Sequence, residues 1–76
     1  MKVHFHNRDK KARFRSETAL IEWMRRHDPE SSRDIFDFME GYKKRKWLFE
    51  NIQLNTATVS DFVSDLVNNG IISITG

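Results

Sequence analysis

The sequence predicts a small α+β domain made of an N-terminal β-hairpin, three to four helices and a short C-terminal strand. Three observations point there. Residues 1–15 alternate apolar and polar side chains on either side of a turn-forming stretch at residues 7–10. Residues 16–69 carry apolar side chains at spacings of three and four, punctuated by Asp28-Pro29 and Asn69-Gly70. Ile71, Ile72 and Ile74 follow as a β-branched run.

The hairpin occupies residues 1–15. Val3 and Phe5 alternate with Lys2, His4 and His6, while Ala12 and Phe14 alternate with Lys11, Arg13 and Arg15. Val3, Phe5, Ala12 and Phe14 therefore share the predicted core face, and the basic residues and histidines collect on the other. Asn and Asp in the turn tolerate unusual backbone angles. A hairpin alone is marginal in water, so this one must lie on the helices or pair with the C-terminal strand.

Ser16 caps a helix over residues 16–27, with Leu20, Trp23, Met24 and His27 as its inner stripe and Glu22 placed to pair with Arg25 or Arg26. His27 is positioned to interact with the last carbonyls of that helix. Asp28-Pro29 ends it, because the residue before proline is pushed out of the helical region. Ser31 or Ser32 opens a second helix over residues 32–42, with Asp34 close to capping-box spacing. Ile35, Phe38, Met39 and Tyr42 form its inner face, Phe36 lies beside them, and Gly41, costing ~1 kcal/mol relative to Ala, marks its end. A third helix covers residues 43–52 with Trp47, Leu48 and Ile52 inward, joined by Gln53-Leu54 to the next.

Asn55 caps the last helix, residues 55–69. Val59, Phe62, Val63, Leu66 and Val67 form its apolar seam and leave Thr58, Ser60, Asp61, Ser64 and Asp65 outward. Asn69-Gly70 stops it, since glycine accepts the left-handed backbone required there. Residues 71–75 are the strand.

Seventy-six residues make one domain, residues 1–76, and a core of this size leaves only ~3–5 kcal/mol of net stability. There is no cysteine, so neither a disulfide nor a thiolate metal site adds to it, and an intracellular, cytoplasmic setting is expected. No apolar run approaches the length that spans a bilayer. Net charge is +2 but unevenly placed. Residues 1–16 hold six basic side chains against Asp9, and residues 43–46 (Lys43, Lys44, Arg45, Lys46) add four more. From Trp47 onward there is no Lys or Arg, while Glu50, Asp61 and Asp65 are acidic. An anionic partner would approach the hairpin or the 43–46 step first.

From Ile35 onward the chain resembles the helix-turn-helix of winged-helix repressors of the multiple-antibiotic-resistance type. The likeness rests on Ile35 to Met39, Trp47 to Ile52, Leu54, Asn55, Thr58, Val59, Ser60, Phe62, Val63, Leu66, Gly70, Ile71 and Ile72. It implies a small winged-helix-like domain in which Thr56, Thr58, Ser60, Asp61 and Ser64 occupy the face presented to the major groove. It also implies a wing after Ile74, a place the basic N-terminal hairpin would take here by pairing residues 71–74.

The expected function is therefore a non-enzymatic small regulatory protein that binds nucleic acid, DNA rather than RNA. Lys10, Lys11, Arg13, Arg15 and Lys43, Lys44, Arg45 and Lys46 would meet phosphate, with Thr56, Thr58, Ser60 and Ser64 near the bases. The alternative is a protein–protein interaction module in which Asp61 and Asp65 dock on a basic surface, because the recognition-like helix carries two acids and no base. A short single-domain chain of this kind resembles a phage or plasmid accessory protein that binds a host factor. Monomer and homodimer are both open. With glycines only at 41, 70 and 76 there is no Gly-rich phosphate loop, and no spacing sets a base beside a nucleophile. No cofactor is expected. His4 and His6 share a strand face, but two solvated histidines are the ordinary reading and no metal site is assigned. Trp23 and Trp47 are at helical spacing, where tryptophan more often fills a core than stacks on bases.

Overall fold

Alternation in the first residues builds a strand, β1 (Lys2–Phe5), that the turn folds onto β2 (Lys10–Arg13). Asp9 takes the left-handed backbone of the turn at φ 48°, which a short polar side chain tolerates. The computed structural model describes residues 1–75 and continues with α1 (Glu17–Arg26), α2 (Ile35–Glu50), α3 (Val59–Asn68) and β3 (Ile72–Thr75). The three strands form one antiparallel sheet in the order β2-β1-β3, so the N-terminal strand is central. Register sets Val3 opposite Ala12 and Ile74, and Phe5 opposite Ile72. The pairing runs one step further through the His6 N–H, which donates to the Ile71 carbonyl at 3.1 Å.

The inner face of the sheet closes a core to which all three helices contribute. Val3, Leu20, Ile21, Met39, Phe62 and Leu66 are fully enclosed. Ile21 belongs to this core although it lies off the stripe read from the sequence, and His27 is exposed, with its Nδ1 2.9 Å from the Trp23 carbonyl oxygen. Ser16 caps α1 as expected, its hydroxyl accepting from the Ala19 N–H at 3.1 Å. Glu22 accepts from Arg25 at 2.8 Å, and Arg25 reaches on to the Ser32 and Arg33 carbonyls, tying the α1–α2 link to the end of α1.

Three expectations need correction. The predicted helices 32–42 and 43–52 are one continuous helix, α2, so the described residues hold three helices. A single glycine costs little against the burial of Phe38 and Met39 and the partial burial of Tyr42 around it, and Gly41 does not break the helix. The helix starts later than expected, with Asp34 as its cap accepting from the Asp37 N–H at 2.8 Å. Its end is set by Asn51, at φ 56°, rather than by Gly41. Second, Trp47 and Leu48 do not face inward; they are 48% and 73% exposed. Sixteen residues of helix span ~24 Å, comparable to the full width of the molecule at 31 × 25 × 23 Å, so the C-terminal turns of α2 run past the core. Third, Thr58, not Asn55, caps α3, its hydroxyl accepting from the Asp61 N–H at 3.0 Å. Residues 51–58 form an irregular link that returns Leu54 to the core. The C-terminus of α3 is as expected: Gly70, at φ 71°, lets its own N–H reach the Val67 carbonyl at 3.0 Å and the Ile71 N–H reach the Leu66 carbonyl at 2.9 Å.

Candidate nucleic-acid interface

The pleat that buries Val3, Phe5, Ala12 and Ile72 turns the intervening residues away from the helices. This outer face carries Lys2, His4, Lys11, Arg13, Ser73 and Thr75. Lys2 stands directly opposite Arg13 on one side and Thr75 on the other; His4 lies between Lys11 and Ser73. No strand position on this face holds a carboxylate. Like charges directly opposite across a ladder repel, so the Lys2–Arg13 pair is an unneutralised electrostatic load.

The histidines are held by neighbours on the same side. His4 Nε2 lies 3.0 Å from an Asp9 carboxylate oxygen, His6 Nε2 meets the Ser73 hydroxyl, and the two rings approach to 4.5 Å. Among the described residues there is no group of three or more metal-ligating side chains.

The structure divides the other predicted contact residues. Arg15 is exposed just beyond β2. Lys10 pairs with Phe5 in register and turns to the helix side, its ammonium 5.2 Å from the centre of the Trp23 ring. That ring stacks between Phe5 and His27, at centroid distances of 4.9 and 4.0 Å. Trp23 is thus a packing residue.

Residues 43–46 do not act as one basic step. Lys43 and Lys44 are exposed on α2, away from the strands that build the basic face. Arg45 turns back on the loop after α1, donating to Asp28 at 3.0 Å and to Glu30 at 2.8 Å, and Lys46 pairs with Glu50 one turn on. The Arg45 guanidinium holds the Asp28 carboxyl below the usual carboxylate range, assisted by the Glu30 N–H, and Asp28 in turn raises Arg45. This pair borders a groove of about 270 Å³ between the hairpin turn and α2, walled by Phe5, Trp23, Phe38, Tyr42 and Phe49. Burial pushes the Tyr42 phenol beside it up to about 12, with the Glu50 charge adding to the effect.

The recognition-like helix also gives up several of its expected contacts to structure. Thr56 donates to Glu40, Thr58 is the cap, and Asp65 accepts from the Asn55 N–H at 2.7 Å. Ser60, Ser64 and Asp61 remain exposed on α3. Asp65 is therefore explained as an anchor for the 51–58 link, a role no periodicity could reveal. Sequence reasoning also left Lys2, Ser73 and Thr75 out of the basic site; the alternation placed Lys2 correctly, but only the register adds Ser73 and Thr75.

Comparison with known proteins finds no matching family model, no matching curated protein and no matching solved structure. No helix among the described residues is long and apolar enough to cross a membrane.

Proposed function

We propose that this chain is a non-enzymatic nucleic-acid-binding protein of winged-helix-like build that grips the phosphate backbone with its sheet rather than with its last helix. One observation carries this reading: Lys2, Lys11 and Arg13 share the outer sheet face, where no strand position holds a carboxylate and the Asp9 carboxylate of the turn is held against His4. A phosphate seated there would relieve the Lys2–Arg13 repulsion, and the hydroxyl of Thr75 on the neighbouring strand would donate to its oxygens. The hairpin stands in for a C-terminal wing, and Arg15 extends the basic surface beyond β2. Ser60, Asp61 and Ser64 are exposed on α3, which packs against the inner face of the sheet, and they take no part in this contact. DNA is favoured over RNA by the resemblance to winged-helix repressors alone.

Fluorescence anisotropy with labelled duplex and single-stranded oligonucleotides tests this. Wild type should bind at about 50 mM salt, and Lys11→Ala/Arg13→Ala should weaken binding at least ~10-fold for every sequence tried, since phosphate contacts carry no base information. Lys44→Ala should have a smaller effect. Failure to bind any oligonucleotide at low salt overturns the reading.

A second reading, a protein–protein interaction module, is favoured by the exposure of Phe36, Trp47, Leu48 and Phe49 on α2. Of the acids first assigned to it, Asp61 is free to meet a partner and Asp65 is occupied by Asn55.

A further inference from the structure

The side of α2 that runs beside the 51–58 link, where Thr56 donates to Glu40 and Lys43 and Trp47 border Ile52, Gln53 and Leu54, carries a pattern that is complementary to its own reverse. Phe36, Glu40, Lys43 and Trp47 follow one another at spacings of four, three and four, which at 100° per residue confines them to about 60° of the helix circumference. All four are exposed, the two aromatics by 57% and 48%. Phe36 and Trp47 are equidistant from the midpoint between Gly41 and Tyr42, and so are Glu40 and Lys43.

We propose that this stripe docks a second copy of the chain, with the two α2 helices antiparallel about a two-fold axis through that midpoint. Each Phe36 then meets the partner's Trp47, and each Glu40 the partner's Lys43, so every contact is made twice. Alternating spacings of three and four are those of a coiled-coil seam. The charges select the direction: parallel helices in register would set Glu40 on Glu40 and Lys43 on Lys43. They also select the occupant, because a partner of different sequence has no need of a stripe symmetric about its own centre. Leu48 and Phe49 lie off this stripe and take no part. One helix from each copy gives an interface at the small end of the specific range, so association belongs in the micromolar regime.

Sedimentation velocity on the full chain without nucleic acid, from about 1 μM to several hundred μM, is the test, and it is independent of the nucleic-acid reading. Wild type should pass from monomer to dimer. Glu40→Lys and Lys43→Glu each place two like-charge pairs in the seam and should raise the dissociation constant at least ~10-fold. An equimolar mixture of the two variants should associate again, since Lys faces Glu at both pairs. So should the double variant Glu40→Lys/Lys43→Glu. That double variant also lacks the carboxylate that accepts from Thr56, so its recovery cannot be traced to that bond. If Glu40→Lys fails to fold by circular dichroism, Lys43→Glu alone carries the test. A wild type that stays monomeric, a single reversal without effect, or no recovery on mixing overturns the proposal.

Discussion

The Asp28 side chain is only 7% exposed, and an ionised carboxylate at that depth is sustained by the two hydrogen bonds it accepts from Arg45. Arg45→Ala would leave that carboxylate without its main partner and should cost about 2 kcal/mol, a large share of the stability of so small a domain. Urea denaturation measures it, and a loss within experimental error would show the pair to be superficial. The pH dependence has a definite sign. Folding lowers the Asp28 pKa, so its contribution is present above the unfolded value of about 3.9 and is lost as pH falls through the lower folded value. Wild type should therefore lose stability below about pH 4, and Asp28→Asn should flatten that part of the profile. The sequence showed Arg45 only as one of four adjacent cations. Its commitment to Asp28 and Glu30, seventeen and fifteen residues earlier, depends on how the loop after α1 returns to α2.

Helix α2 and the end of α3 hold two glycines with opposite roles. Gly41 lies in mid-helix with open space where a Cβ would stand, whereas Gly70 occupies the left-handed region at φ 71°. Gly41→Ala should stabilise the domain by ~0.5–1 kcal/mol, and Gly70→Ala should destabilise it by ~1 kcal/mol or more. Thermal melts of the two variants should move in opposite directions; a fall in melting temperature for Gly41→Ala would contradict the continuous helix. Both residues look like helix terminators in the sequence. Only Gly70 follows the last residue of an apolar seam and precedes a strand, and that context made its role legible. Gly41 is surrounded by side chains that pack on both sides of it, and the cost of a glycine is smaller than that packing. The start of α3 was misread for a related reason. Asn55 and Thr58 are both good caps, and the choice falls to Thr58 because residues 51–58 are drawn across the core by Leu54 and held by Asp65.

Across the whole molecule, the sheet separates what sequence charge alone had grouped. Period-two alternation in residues 2–15 identified the inner residues Val3 and Phe5 and the outer residues Lys2, Lys11 and Arg13, and it left two places for the hairpin, on the helices or beside the C-terminal strand. It could not give the strand order, so Ser73 and Thr75 joined the basic face only once β1 was seen to be central. Exposed Lys43 and Lys44 belong to α2 and not to the sheet, and Arg45 and Lys46 are spent on internal ion pairs. The candidate interface is therefore smaller than the count of cations implies. The most direct measurement is the salt dependence of duplex binding. Three phosphates met by Lys2, Lys11 and Arg13 predict that log K falls with log salt at a slope of about −3, and that Lys11→Ala/Arg13→Ala makes the slope shallower by about two. A slope that the double variant leaves unchanged, or that Lys43→Ala/Lys44→Ala reduces instead, would contradict the assignment of the sheet as the phosphate-binding surface.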